Sequence, residues 1–328
     1  MKKRVLSGMR PTGKLHLGHL LGALSNWANM QDDYDCYFMV ADWHALMSEY
    51  ENPKKIAEYT VDNVIDWISC GLDPNKSTIF VQSRVDEHLE LAMVFSDLTP
   101  LSWLERCPTY KEQLRELKGR ELTTYGFLGY PVLQAADILL YRADVVPVGE
   151  DQLSHLELTR EIARRFHALY KKTVFPEPEA LLTQVPRLLG LDNRKMSKSY
   201  DNFIALSDPE DVIRKKISSM ITDPQKIKLF DVGHPEICNV FSYFKIFKPE
   251  SAAGLENDCK KAMIGCTKCK ENLSNALIEY LKPVQKKRKE LEEDKNKIAR
   301  IIGEGNEKAK KFASETMKQV REIIGLYS

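Results

Sequence analysis

Two small sets of residues, far apart in the chain, carry the chemistry: His16 and His19 in H-L-G-H, and Lys195 and Lys198 in K-M-S-K-S. Imidazoles that donate hydrogen bonds and ammonium groups that neutralise phosphate suit displacement at a phosphorus of a nucleoside triphosphate. Histidines three apart share one face of a helical turn. Gly18 between them removes a side chain where a flat purine would lie against the backbone. The first-turn N–H groups of this helix are expected to be open to an anion. Lys195 and Lys198 suit a leaving pyrophosphate as mobile point charges. With Met196, Ser197 and Ser199 they are expected to form a small mobile loop that can close over a phosphate ligand and open to release it. Each set has a plainer reading by itself, a capped helix start and an exposed basic linker.

Three further sets stand out. In V-G-E-D-Q, Gly149 permits close backbone approach and Asp151 is placed to accept two ribose hydroxyls, although an acid in a first helical turn also complements the helix dipole. Tyr130, Gln134 and Asp137 are spaced i, i+4, i+7 and line one helix face, with Ala135 and Ala136 allowing tight packing. A carboxylate in so apolar a segment needs a partner. An indole N–H, which only donates, suits it, and Arg142 is the alternative. The third set is Cys238-x20-Cys259-x6-Cys266-x2-Cys269. Four thiolates suit tetrahedral zinc or an iron–sulfur cluster; unliganded thiols are the other reading, and disulfides explain a cytosolic chain poorly. Cys36, Cys70 and Cys107 are scattered among apolar residues and read as core.

The elements that position these groups follow from periodicity. Strands are predicted at Lys3–Gly8, Cys36–Ala41, Thr78–Gln82 and Asp144–Val148. Helices are predicted at His16–Met30, Pro53–Cys70, Tyr130–Tyr141 and Glu150–Tyr170. Strand–helix–strand alternation implies a parallel, doubly wound α/β sheet that binds ligands beyond its strands' carboxyl ends. Residues 84–129 read as an insertion, with 119–129 its flexible exit. Pro176–Tyr200 reads as a proline-rich connector. Beyond Asp208 the pattern is helical, at Asp208–Met220, Ile237–Phe247 and Leu273–Leu326, the last broken by Gly303 and Gly305.

At 328 residues the chain supports a real core and two domains. Its 48 basic and 47 acidic residues leave a net charge of +1, which advertises no DNA-sized polyanion. No apolar run reaches membrane-spanning length, and the start M-K-K-R-V-L-S-G contains no signal-peptide core, so the cytoplasm is the expected compartment.

H-L-G-H early and K-M-S-K-S late, in this order, resemble the two signatures of class I aminoacyl-tRNA synthetases. G-M-R-P-T-G-K-L-H-L-G-H, A-D-W-H-A, Y-P-V-L-Q-A-A-D-I-L-L-Y and D-V-V-P-V-G-E-D-Q narrow the resemblance to bacterial-type tryptophanyl-tRNA synthetases over nearly the whole chain. The resemblance implies a Rossmann-like catalytic domain over 1–190 with the 84–129 insertion. It implies the lysine-motif loop and an all-helical anticodon-binding domain with the cysteines over 191–304; the tail over 305–328 is separately expected to be a helix able to pack back on the first domain. It implies activation of L-tryptophan with ATP and Mg2+, then transfer to the 2′-hydroxyl of the terminal adenosine of tRNA(Trp), by a homodimer. Carried over, Arg10, Thr12, Gly18, His19, Gly149, Asp151, Lys195, Met196, Ser197 and Lys198 would hold ATP. Asp137 would bind the indole nitrogen, with Leu6, Gln134, Val146 and Val148 around the ring; His44, Tyr130 and Gln152 would surround the ammonium and carboxylate. His16, His19, Lys195 and Lys198 would act in catalysis. The cysteine pattern resembles that of a subset holding a [4Fe–4S] cluster near the anticodon, where Lys260, Lys261, Lys268 and Lys270 would meet phosphates.

Leu6, Arg10 and Gln134 depart from the family's commoner phenylalanine, glutamine and methionine. Q-A-x-D also occurs in tyrosyl-tRNA synthetases, so a tyrosine–tRNA ligase is the nearest alternative; V-G-E-D-Q and A-A-D-I-L-L-Y favour tryptophan. A non-charging iron–sulfur RNA-binding paralogue is the alternative from another class, and the complete His16, His19, Lys195, Lys198 set argues against it.

Overall fold

The computed structural model describes residues 2–108, 110–111, 123–182 and 188–327. Residues 119–122 of the expected loop exit, residues 183–187 of the expected connector and the Ser199 side chain lie outside this description.

The chain begins with β1 (Arg4–Met9), α1 (Leu17–His19), a π-helical turn (Leu20–Leu24) and α2 (Ser25–Met30). Then come β2 (Asp35–Val40), α3 (Asp42–Glu49), α4 (Ile56–Ser69), β3 (Ser77–Val81), α5 (Glu87–Leu98) and α6 (Leu101–Glu105). α7 (Tyr125–Leu128), α8 (Tyr130–Leu140), β4 (Val145–Val148), α9 (Leu153–Tyr170) and β5 (Glu179–Leu182) complete the sheet. After it lie α10 (Glu210–Ser218), α11 (Asn239–Phe247), α12 (Pro249–Lys260), α13 (Cys266–Glu293) and α14 (Lys295–Ile324).

All four strand pairings are parallel, in the order β3-β2-β1-β4-β5. β3 is buried along its whole length and β2 along all but its first residue, as expected of strands covered on both faces. The strand order reverses between β1 and β4, the place where doubly wound sheets hold their ligands. β5 was hidden in the expected connector. It is a four-residue edge strand, E-A-L-L, behind Pro176 and Pro178, and pairs with β4 from Val145↔Glu179 to Val148↔Leu182.

Two compact units emerge, one of Met1–Gly13, Asn26–Thr183 and Asp294–Ser328, the other of Lys14–Ser25 and Gln184–Glu293. In the first, Leu6, Tyr37, Phe80, Ala136, Tyr141 and Val146 share one apolar cluster with Ala309, Ala313, Met317 and Val320 of α14. This helix runs unbroken through Gly303 and Gly305, contrary to the expected break; the interruption falls at Asp294, whose side chain caps the next helix by accepting from Lys297 N–H at 3.0 Å. Gly305 is needed for contact, because a Cβ there would collide with the Ile79 carbonyl of β3. Beside it Asn306 Oδ1 accepts from Val81 N–H at 2.9 Å, closing the sheet's edge.

In the second unit α10 and α11 pack on α13, and α11 also packs on α12. Ile213, Ile217, Phe244, Leu273, Leu277 and Leu281 are buried there. Each such side chain contributes roughly 1.5–3 kcal/mol by leaving water.

Candidate active site

His16 is the N-cap of α1, and the backbone turns around its ring. Gly18 N–H donates to His16 Nδ1 at 3.1 Å, and His16 N–H donates to His19 Nδ1 at 3.2 Å. A ring nitrogen that accepts carries no proton, so the hydrogen bonds assign both imidazoles the Nε2–H tautomer. Burial lowers the pKa of His16 to about 4, with the Lys198 ammonium adding to the effect. His19 is held well below its ordinary value by burial, then by His16 and Lys198. Both rings are therefore neutral at pH 7, their centroids 3.9 Å apart, each offering Nε2–H as its donor. The expectation that backbone N–H groups of this turn stand open is corrected: Leu17 N–H donates to the Ile204 carbonyl at 3.2 Å and Gly18 N–H to His16.

The lysine-motif loop is built on Asn202, which is 3% exposed. Its Oδ1 accepts from Ser197 N–H at 2.9 Å, while Nδ2 donates to Asp192 Oδ1 at 2.7 Å and to the Lys195 carbonyl at 3.1 Å. Any side chain at Gly190 would strike that amide. Met196 is buried, with its sulfur 3.5 Å from where a Cβ on Gly18 would lie. His16 also pairs with Ala205 in an antiparallel bridge. The structure thus brings His16, Gly18, His19, Met196 and Lys198 together, while Lys195 is exposed. Asn202 had no sequence signal beyond its place in a polar stretch.

The sheet unit holds a second polar centre. Asp137 of α8 accepts from Gln82 Nε2 at 2.8 Å and His88 Nδ1 at 2.6 Å through Oδ1, and from His44 Nε2 at 2.7 Å through Oδ2. Burial pushes its pKa up, but the bonds from His44 and His88 prevail and hold it at about 2. Arg142 is no partner; it donates to Gln319 at 2.7 Å. Leu6, Val146 and Val148 are buried in the cluster that also contains Ala135 and Ala136, and Gln134 is half-buried. Tyr130 is buried with its hydroxyl 3.0 Å from His155 Nε2. Gln152 Nε2 donates to Asp151 Oδ2 at 3.1 Å, beside Gly149. Arg10 is exposed, and its carbonyl accepts from Thr12 N–H at 2.9 Å. His88, Gln82 and His155 were missed: each stands among other polar residues with no motif to single it out, and is given its partner only by the fold.

The four cysteines are neighbours. Cys269 feels the charges of Cys259, Cys266 and Cys238, and burial pushes its pKa up to about 12. Cys238, whose pKa is raised by burial, is the N-cap of α11, and its side chain makes no capping hydrogen bond. Four thiol donors fit a metal–thiolate group in type. Among the described residues, however, no three His, Cys, Asp or Glu side chains are gathered into a coordination sphere. Of the nearby lysines, Lys260 pairs with Glu256, Lys268 with Glu271, and Lys270 donates to the Ser218 carbonyl.

Known proteins resemble this chain in sequence and fold. The family model of class I tRNA synthetases (W and Y) matches residues 1–282. The tryptophan–tRNA ligase of Thermotoga maritima is 50% identical over 326 residues, covering 98% of this chain and 99% of the relative. That of Aquifex aeolicus is 43% identical, covering 98% and 100%. The structure of tryptophanyl-tRNA synthetase from Campylobacter jejuni complexed with ADP and tryptophan superposes with a TM-score of 0.91 at 35% identity, covering 98% of this chain and 100% of that one. The chain belongs to the class I aminoacyl-tRNA synthetases of the tryptophan and tyrosine branch. Within that branch it is a bacterial-type tryptophan–tRNA ligase, whose substrates are tryptophan, ATP and tRNA(Trp). Among the described residues no helix is long and apolar enough to cross a membrane.

Proposed function

We propose that His16, His19, Lys195 and Lys198 carry the activation step, in which the tryptophan carboxylate attacks the α-phosphorus of MgATP and pyrophosphate leaves. The observation that carries this reading is the pair of neutral imidazoles with Nδ1 tied inward and a lysine charge beside them. Their Nε2–H donors meet phosphate oxygens as charge builds, at no cost of reorganisation. Lys195 and Lys198 neutralise the leaving group, with Met196 and Ser197 shaping the loop. Arg10, Thr12, Gly18, Gly149 and Asp151 hold the nucleotide, Asp151 through the ribose hydroxyls. Asp137 accepts from the indole N–H, among Leu6, Gln134, Val146 and Val148. His44, Tyr130 and Gln152 surround the ammonium and carboxylate. The adenylate then passes its acyl group to the 2′-hydroxyl of the tRNA's terminal adenosine, breaking its anhydride bond to the phosphate and releasing AMP. ATP–pyrophosphate exchange with tryptophan and tyrosine in separate reactions tests this: exchange with tryptophan only is expected, and equal exchange with tyrosine would refute the indole assignment.

Cys238, Cys259, Cys266 and Cys269 are proposed to hold a [4Fe–4S] cluster that braces the loop facing the anticodon; a structural zinc ion is the alternative. The mutual influence of the four thiols supports it. Protein isolated without oxygen should be brown, with iron and sulfide in equal amounts; colourless protein containing zinc would favour the alternative. A homodimer is supported by an apolar groove of about 220 Å³ where Leu89, Met93, Leu101 and Tyr125 are exposed. The cytoplasm is the proposed compartment, where its substrates are.

A further inference from the structure

Asp137 is the hub of a buried network that the roles above leave largely unused. Gln82, His88 and Tyr141 are 0% exposed and Asp137 2%. An ionised carboxylate has two oxygens with about four acceptor positions. Gln82 and His88 fill both positions of Oδ1, and His44 takes one on Oδ2, so one remains. Because a carboxylate only accepts, His88 Nδ1 carries the proton, and Nε2 on the far side of the ring is hydrogen-bonded to the Tyr141 hydroxyl at 2.9 Å. Burial, then Asp137 and Glu87, push the pKa of Tyr141 well up, which keeps that hydroxyl a donor. Tyr141 lies four residues after Asp137, just past the end of α8, so the carboxylate and the group that orients its partner ride on one element. The first turn of α5, which carries His88, is pinned in turn by α14: Ser314 bonds Glu87, and Arg321 Nε bonds Glu90 at 2.6 Å.

We propose that His88 and Gln82 are positioning residues for tryptophan selection: by filling Oδ1 of Asp137 they leave a single acceptor position, on Oδ2, for the indole N–H. This rests on reading Asp137 as the indole partner. An unpinned carboxylate rotates and serves donors in many directions, whereas one fixed at Oδ1 presents one lone pair along one line. An isostere with sulfur in place of N–H would leave that position unpaired out of water, which is where discrimination comes from.

The test is ATP–pyrophosphate exchange with tryptophan and with its sulfur isostere, β-(3-benzothienyl)alanine. Wild type should prefer tryptophan, and His88→Ala should cut that preference about 10–100-fold by raising KM for tryptophan, with kcat and KM for ATP little changed. His88→Asn, whose amide N–H stands where Nδ1–H does, should restore most of the preference. Equal loss of activity toward both amino acids, with their ratio intact, would overturn the proposal in favour of a purely structural His88. If His88→Ala does not fold, Gln82→Met, of similar volume, serves instead; an unchanged ratio there also overturns it. A wild type that fails to prefer tryptophan would sink the reading of Asp137 itself, a result distinguishable from the failure of His88 alone.

Discussion

The carboxylate on α8 and the imidazoles on α1 are both polar groups taken out of water, yet they are completed in opposite ways. Asp137 collects three side-chain donors from three different segments and is locked as an anion. His16 and His19 close on their own turn through Nδ1, are kept neutral, and keep Nε2–H turned to use. The first arrangement fixes a direction and suits choosing a substrate. The second holds donors ready for a charge that exists only during reaction, beside a loop tethered by a single buried asparagine. On the proposed roles, selection would rest on over-determined packing and catalysis on local turn chemistry. The division predicts how each centre should fail.

Asp137→Ala should break selection most severely, removing tryptophan-dependent exchange by about 10⁴-fold through KM, because three buried donors lose their acceptor. A loss confined to kcat would erase the distinction between the centres. Lys198→Ala should lower kcat about 10²–10³-fold with KM for tryptophan little changed. Steady-state exchange at varied tryptophan separates the two patterns.

The neutral histidines give a pH test. Unfolded chain binds protons at these rings near pH 6.5, whereas folded His16 does so only near 4. Their share of stability is therefore intact above pH 6.5 and lost as pH falls toward 4, by up to about 3 kcal/mol for His16. Tm measured from pH 7 to 4 should fall less steeply in His16→Gln than in wild type; parallel curves would show that the ring titrates normally. The smallest effect concerns the scaffold of the selection centre. Gly305→Ala should cost roughly 1–3 kcal/mol by forcing α14 off β3, seen as a lower Tm.

Much of this was legible beforehand because it is periodic or local. The apolar runs of β1 to β4 and the i, i+4, i+7 spacing of Tyr130, Gln134 and Asp137 need no tertiary information. β5 escaped because four residues between prolines and polar neighbours carry no period, and only pairing with β4 makes them a strand. The break expected at Gly303 and Gly305 failed for a related reason. Glycine is costly in a helix, but a long helix with an apolar face can absorb two, and Gly305 gains the closest approach to the sheet. Partners such as His88 and Gln82, 49 and 55 residues from Asp137, become visible only once the sheet has folded.

The way α14 closes the sheet has a consequence for biosynthesis. The ribosome makes β3 early, but the Asn306 amide that caps Val81 and the helix that shields Ile79 emerge only after the whole second unit has been made. During that interval the nascent sheet presents a bare edge, the surface most prone to recruit foreign strands. Ribosomes stalled before codon 306 should therefore carry chains that co-sediment with one another or with a chaperone, and chains released from stalls beyond codon 324 should not.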